Sequence, residues 1–401
     1  MFQQDLGLSG ISEAEIVDVI KRCRLLRKLP NNEARRHVWA MGTAIAEALD
    51  KFRPSLVLSL TIDSYVMDLL RLLAQTRGVR FVGFIGTFVN GYYRVSARGE
   101  PNFNSAADLS IVPELKAKLL KDDYAPAFNV KSLSRPRRSV YRRWAANVAR
   151  VPYFWLKRLA GGDYYNYHYW VSQLISTEQF HLYPPSDPGD ALWTQRLCNV
   201  KRPSLFIPLQ MFPECTVDYW CQDVRVIDYY ETLNQLVEKL ATRFHVVIKE
   251  HPSVMGSRPG GFYAALSRDE RVTVVPTYVP SNEVLRSVDG VVVWTGSVGF
   301  ESMLRGKPVF GLASPFYASG DRFRVIDKDP DIEAMLRHVE VCKAKPVTED
   351  EQEAMLTHLA RQLFKGDFIN DGSWTLNNPQ HVSQAERVVQ SFIQCEFGLP
   401  L

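Results

Sequence analysis

Lys249-Glu250-His251-Pro252 follows directly on the apolar run FHVVI. A second polar turn, Thr295-Gly296-Ser297-Val298-Gly299, follows GVVVW and leads on to Glu301. Small residues, two hydroxyls and the free N–H groups of a helix start suit an anionic phosphate. Glu301 lies four residues past Ser297, on the same helical face, where a carboxylate accepts hydrogen bonds from a ribose. His251 and Lys249 are donors that neutralise a leaving phosphate without a metal. Two further carboxylates are candidates for a general base. Asp63 stands just past a strand end in SLTIDSYVMD, and Glu214 stands with Gln210 and Thr216 in LQMFPECT. Each stretch also has an ordinary reading: solvated charge and a histidine cap at 249–252, a helix capped by Ser297, a surface loop at 209–216, and Asp63 capping the next helix. No Asp-x-Asp stands at a strand end, and the six cysteines include no C-x-x-C pair. No metal and no cofactor is therefore expected.

The elements around these residues alternate. SLFIPLQ (204–210), FHVVIK (244–249), RVTVVP (271–276), GVVVW (290–294) and KPVFGL (307–312) read as buried strands, and segments of helical periodicity lie between them. Continuous apolar strands separated by amphipathic helices predict a parallel sheet covered on both faces, half of a doubly wound protein. The N-terminal part repeats the pattern more loosely, with helices at 13–28 and 33–50, strands at 55–60 and 79–86, and a helix at 63–78. The rhythm breaks over 100–180, where a helical insertion is expected. The predicted organisation is an N-terminal Rossmann-like domain over 1–200 and a nucleotide-binding one over 201–340, with C-terminal helices over 341–401. The Pro-rich stretch 183–190 and residues 201–204 serve as linker. Ligands of such sheets bind at the carboxyl ends of the strands, so the two domains are expected to face each other across a cleft.

Hydrophobic residues make up 46% of the 401, charged residues 23%, and the net charge is +4, an ordinary globular profile with no argument for nucleic acid. No apolar run reaches the length of a spanning helix. The start, MFQQDLGLSG, has neither a basic nor an apolar leader region, so a cytoplasmic location is expected. One stretch is strongly biased: residues 131–162 hold nine Lys and Arg, Arg137, Arg138, Arg142 and Arg143 among them, and no acid. Trp144, Tyr153, Phe154 and Trp155 are interleaved with these charges. Such a segment suits an anionic membrane surface, or is simply a solvated face beside a core stripe. Arg94 and Arg98, in the loop after the 79–86 strand, are candidates to line an acceptor site.

LQMFPE, IKEHPS, VVWTGSVGFESMLRGKPVFGLASPFYASG and TIDSYVMDLLRLLA together resemble the bacterial capsule and surface polysaccharide biosynthesis proteins, among them the Kdo transferases of capsule assembly. The resemblance covers 205–320 well and 55–100 weakly. It implies a GT-B fold and metal-independent transfer from a nucleotide sugar, CMP- or UDP-linked, with CMP-Kdo as donor in the Kdo enzymes. It implies that His251 contacts the donor phosphate, that Ser297 and its neighbours form the phosphate turn, and that Glu301 is the donor-site glutamate. Kdo transferases often carry Lys-Pro-His-Pro, whereas here Glu250 precedes His251. The expected partners are the nucleotide sugar, a lipid-linked saccharide acceptor, the anionic inner face of the cytoplasmic membrane and other capsule assembly proteins. A CDP-polyol phosphotransferase, a GT-B-like sugar-nucleotide epimerase and a non-catalytic capsule scaffold are the alternative readings.

Overall fold

Short, mostly apolar runs set the larger sheet. The structure, a computed structural model, describes Leu8 and residues 10–121, 124, 126, 136–161, 167–366, 368 and 377–397. Lys131 and Arg135 of the basic stretch lie outside the described residues. The chain forms two compact units, one of Met1–Ile111, Pro213–Ile227 and His358–Leu401, the other of Val112–Phe212 and Asp228–Thr357.

The first unit holds strands β1 (Leu56–Leu60), β2 (Arg80–Gly86) and β3 (Tyr92–Val95), with helices α1 (Glu13–Arg22), α2 (Asn31–Phe52) and α3 (Tyr65–Thr76). β1 and β2 are parallel, with α3 as their crossover, but β2 pairs β3 antiparallel, and β3 pairs the short strand Phe364–Lys365 antiparallel. Among the described residues, the expected second doubly wound domain is thus a mixed four-stranded sheet with a single parallel pair. The reason is the link after β2, which is only Thr87–Gly91. Parallel strands need a crossover of a dozen or more residues, whereas a short turn permits only a hairpin. Gly91 supplies the positive φ (+89°) of that turn. The helix Pro379–Phe397 covers the sheet through Val388 and Phe392, packed on Val82, Phe84, Tyr93, Val95 and Phe364.

Residues 213–227 are fastened into this unit by charge. Asp218, fully buried, is held by Arg24 at 2.6 Å and Arg27 at 2.9 Å. The Arg22 guanidinium donates to the carbonyls of Asp218 and Cys221, and Trp220 Nε1 donates to Thr61 Oγ1 at 3.1 Å.

The second unit holds α4 (Val112–Leu119), α5 (Pro136–Leu159), α6 (Tyr167–Glu178) and α7 (Trp193–Cys198) ahead of the six-stranded sheet. Its strands are β4 (Ser204–Pro208), β5 (His245–Lys249), β6 (Val272–Val275), β7 (Gly290–Val293), β8 (Val309–Gly311) and β9 (Phe323–Val325). All pair parallel, in the order β6-β5-β4-β7-β8-β9. Two further helices matter below: α8 (Tyr229–Leu240) and α9 (Val298–Leu304). The parallel sheet and its strand positions agree with the reading of 204–312. The unit boundary differs from the expected break near residue 200. The helices of 112–198 belong to the β4–β9 unit rather than to the N-terminal one. The stretch expected as linker is also part of it. Asp190 N–H donates to Val274 O, and a Cβ on Gly189 would lie 2.1 Å from Pro276 Cα, so the backbone there presses on the β6 edge.

Candidate functional site

The chain enters the larger sheet at β4, runs outward to β5 and β6, and returns to β7 on β4's other side. The loops leaving β4 and β7 therefore diverge, and that divergence is where open α/β sheets bind ligands. Two of the singled-out stretches meet here: a Cβ on Gly296 would lie 3.3 Å from Gln210 Oε1. The third, Lys249–His251, ends β5, which pairs with β4 along its other edge through Pro208 and Lys249.

Glu250 organises two of these loop ends, those after β4 and β5. It is 1% exposed and forms a fully buried ion pair with Arg258. Its Oε1 accepts from Arg258 Nη2 at 2.8 Å and from His251 N–H at 2.6 Å; its Oε2 accepts from Arg258 Nε at 2.7 Å and the Tyr263 hydroxyl at 2.5 Å. Burial pushes the carboxyl up, but the Arg258 charge and these bonds together hold it below its ordinary value. Arg258 Nη2 also donates to Gln210 O at 2.6 Å, and Gln210 N–H donates to the Tyr229 hydroxyl at 2.8 Å. The guanidinium lies over the Tyr229 and Phe262 rings, at 5.4 and 5.8 Å from their centroids. One ion pair thus fixes the chain after β4 and after β5 together.

His251 serves as the cap of the one-turn helix Pro252–Val254: Nδ1 accepts from Ser253 N–H at 3.2 Å. Because Nδ1 accepts, the hydrogen of a neutral ring resides on Nε2, which remains a donor. Burial first, then the Lys249 charge, depress the ring's pKa to about 4, so it is neutral at neutral pH. Lys249, at the end of β5, is 5% exposed; its ammonium donates to Glu250 O at 3.3 Å, and burial lowers its pKa to about 8.

At the end of β7 the turn differs in detail from expectation. Ser297 has helical dihedrals and makes no side-chain capping bond, so it is not the cap its position suggested. Thr295 is buried. Gly299 does not leave room for a ligand: a Cβ there would lie 2.5 Å from the Tyr317 hydroxyl, and that hydroxyl donates to Gly296 O at 2.5 Å. Glu301 is partly buried in the first turn of α9, and burial raises its carboxyl to about 7.

These loops lie within a segment with known relatives. Residues 185–321 match the family described as capsule polysaccharide biosynthesis protein. That segment contains LQMFPE, IKEHPS and VVWTGSVGFE, which carried the resemblance; the weaker stretch at 55–100 lies outside it. The chain is 27% identical over 123 residues to the capsule polysaccharide modification protein LipA of Neisseria meningitidis serogroup B, covering 30% of this chain and 17% of that protein. It therefore spans about a sixth of the length of that relative. Among solved structures, the β-Kdo 2,4 transferase of Thermosulfurimonas dismutans KpsC superposes with TM-score 0.37 at 14% identity, covering 82% of this chain and 85% of that one. The β-Kdo 2,7 transferase of the same protein gives 0.36 at 14%, covering 96% and 97%. Both likenesses are distant, and the functional reading does not rest on them.

The remaining candidates stand on other elements. Asp63 and Glu214 both fall in the first unit, close enough that both raise the pKa of the Cys215 thiol, behind burial as the main cause. Asp63 pairs with Arg24 at 2.5 Å, and Ser64, not Asp63, caps α3. Glu214 Oε2 accepts from Thr216 Oγ1 at 2.5 Å. Arg94 and Arg98 are built into the unit rather than lining a polar loop. Arg94, 1% exposed, donates to Glu100 O at 2.6 Å and lies over the Trp220 ring; Arg98 pairs with the buried Asp68 and with Asp18. On α5, Arg137, Arg138 and Arg142 are exposed, whereas Arg143 turns inward to the carbonyls of Ser253 and Met255. Arg258, Tyr229, Tyr263 and Tyr317 were not found from sequence. Arg258 lies in the irregular stretch GSRPGG, with no periodicity to reveal its partner, though an arginine eight residues past an unexplained glutamate was the available signal.

Two predictions follow from the electrostatics. Glu250→Gln leaves Arg258 buried without its counter-charge and is expected to cost about 3–5 kcal/mol in denaturant unfolding. A loss below about 1 kcal/mol would refute the central role of the pair. Glu301 ionises near 4.5 when unfolded and near 7 when folded. Its raised value favours folding below pH 4.5, and that contribution is lost as pH rises through 7. Glu301→Gln should match the wild type at pH 4.5 and exceed it at pH 8 by up to about 3 kcal/mol. Equal melting profiles at both pH values would contradict the burial of this carboxyl.

Proposed function

We propose that this chain is a metal-independent GT-B glycosyltransferase of capsule polysaccharide biosynthesis. It moves a sugar from a nucleotide-sugar donor to a lipid-linked or glycan acceptor, and CMP-Kdo is the donor implied by the loop resemblance. The observation that carries the reading is the convergence of Gln210, Lys249–His251 and Thr295–Glu301 at the carboxyl edge of one parallel sheet, beside its divergence point. A donor phosphate on the 295–297 turn meets two kinds of donor. Lys249 brings positive charge. His251, neutral, brings an N–H that costs no proton transfer as the leaving phosphate gains charge. The acceptor oxygen bonds the anomeric carbon as the bond from that carbon to the phosphate oxygen breaks, leaving its electron pair on the nucleotide. The acceptor proton passes to a general base. An inverting reaction needs only that base, whereas a retaining one calls for a nucleophile.

The outward face of α5 supports a location at the inner face of the cytoplasmic membrane. Arg137, Arg138 and Arg142 are exposed near its start, and Tyr153, Trp155, Leu156 and Leu159 near its end. Basic charge beside exposed aromatics suits an anionic interface. No helix among the described residues is long and apolar enough to cross a membrane.

A melting screen over CMP, CDP, UDP, GDP and their sugars tests the donor site, since a ligand of the folded state raises its stability. Stabilisation by a nucleotide sugar, with turnover that His251→Ala lowers by about 10²–10³, is expected. No stabilisation by any nucleotide would favour a scaffold. Turnover of CDP-glycerol alone would point to a polyol phosphotransferase, and conversion of a UDP-sugar without acceptor to an epimerase. For the membrane face, vesicles containing phosphatidylglycerol should bind the protein less as salt rises, and Arg137→Glu with Arg138→Glu and Arg142→Glu should abolish binding. Indifference to lipid charge rejects this surface.

A further inference from the structure

The turn that carries His251 has little structure of its own. Its helix is one turn long, from Pro252 to Val254, and the ring is seated by a single bond from Ser253 N–H. Its stiffness comes from outside. The Arg143 guanidinium, from α5, donates through Nη1 to Met255 O at 2.7 Å and through Nη2 to Ser253 O. The His181 ring, just beyond α6, donates through Nε2 to Arg258 O. Gly256, at φ +84°, brings the turn against α5: a Cβ there would lie 3.2 Å from Val140 Cγ1. Glu250 and Arg258 hold the two ends.

We propose that Arg143 is a positioning residue for His251, its two-pronged hold on the Ser253 and Met255 carbonyls keeping Ser253 N–H on Nδ1 and the ring's hydrogen on Nε2. The assignment rests on the transferase reading for its kinetic consequence only. A planar guanidinium reaches two carbonyls at once from a fixed fork, which an ammonium does not reproduce. Loss of either carbonyl contact frees the ring to rotate and exchange tautomers. The charged groups acting on His251 are Lys249, Glu250, Arg258 and Arg143. Losing Arg143 removes one of the three cations and opens the turn to water, and both changes raise the ring's titration midpoint.

Histidine-selective NMR on the whole chain reads this directly, with His251→Gln identifying the resonance. The wild type should stay in the Nε2–H form and protonate near pH 4. Arg143→Ala should move the midpoint by at least about one unit toward the ordinary value near 6.5 and mix the tautomers. Arg143→Lys, which keeps the charge and the fold, should mix them too. In turnover both variants should lose about 10²-fold in kcat with the donor KM little changed, as for a misplaced catalytic group. A wild-type tautomer and midpoint in a folded Arg143→Lys protein, or in a folded Arg143→Ala protein, overturns the proposal. If no nucleotide sugar is turned over by the wild type, the transferase reading falls while the NMR result still decides the role of Arg143.

Discussion

The edge of the larger sheet hangs on one buried ion pair. Taking Glu250 and Arg258 out of water costs several kcal/mol per ion, and a well-packed apolar pair is often as stable. What an apolar pair cannot do is hold an amide and a carbonyl of two different loops. The Glu250 oxygens take four donors, among them the His251 amide, and Arg258 reaches the Gln210 carbonyl. The pair thus fixes the backbone just past β4 and β5, while the Tyr229 and Phe262 rings below it exclude water and strengthen its electrostatics. The constraint is on geometry more than on stability.

Beside this pair stand groups whose burial is matched by fewer partners. Lys249 has a single long bond to a carbonyl, and Glu301 ionises near 7 because burial works against its charge. At neutral pH the edge therefore presents a cation, an uncharged N–H donor on His251 and a carboxyl that gains or loses its proton readily. Folding alone would favour apolar residues here. Uncompensated charge next to an over-determined backbone is the pattern expected where a site, rather than the core, selects the residues.

The sequence made the parallel sheet legible because its signal is local: β4 to β8 are short, mostly apolar runs that need no knowledge of distant partners. The same locality failed where the outcome depended on distance along the chain. The five residues Thr87–Gly91 decide that β3 turns back antiparallel, and alternation of apolar runs does not register that length. Residues 213–227 follow β4 directly, yet belong to the first unit, because Asp218 is buried among Arg22, Arg24 and Arg27, which lie about two hundred residues earlier. Glu214 travels with them, so the loop 209–216 is divided between the units after Phe212. Glu250 stood out as the residue that broke a family pattern, and its partner Arg258 explains the break: the position that often holds proline carries a carboxylate that ties down the loop.

The basic stretch shows most clearly what composition conceals. Arg142 and Arg143 are neighbours of the same type, and as charge they count alike. Successive residues of a helix point about 100° apart, so Arg142 is exposed while Arg143 turns to the Ser253 and Met255 carbonyls. The stretch is therefore not one patch. Arg137, Arg138 and Arg142 are available to an anionic surface; Arg143 is committed to the turn that seats His251, where its guanidinium is partly desolvated and its pKa lowered by that burial. The same helix thus carries charge for an outside surface and a clamp for an inside loop. A change of charge at the outer arginines therefore acts on the helix that also clamps the turn carrying His251.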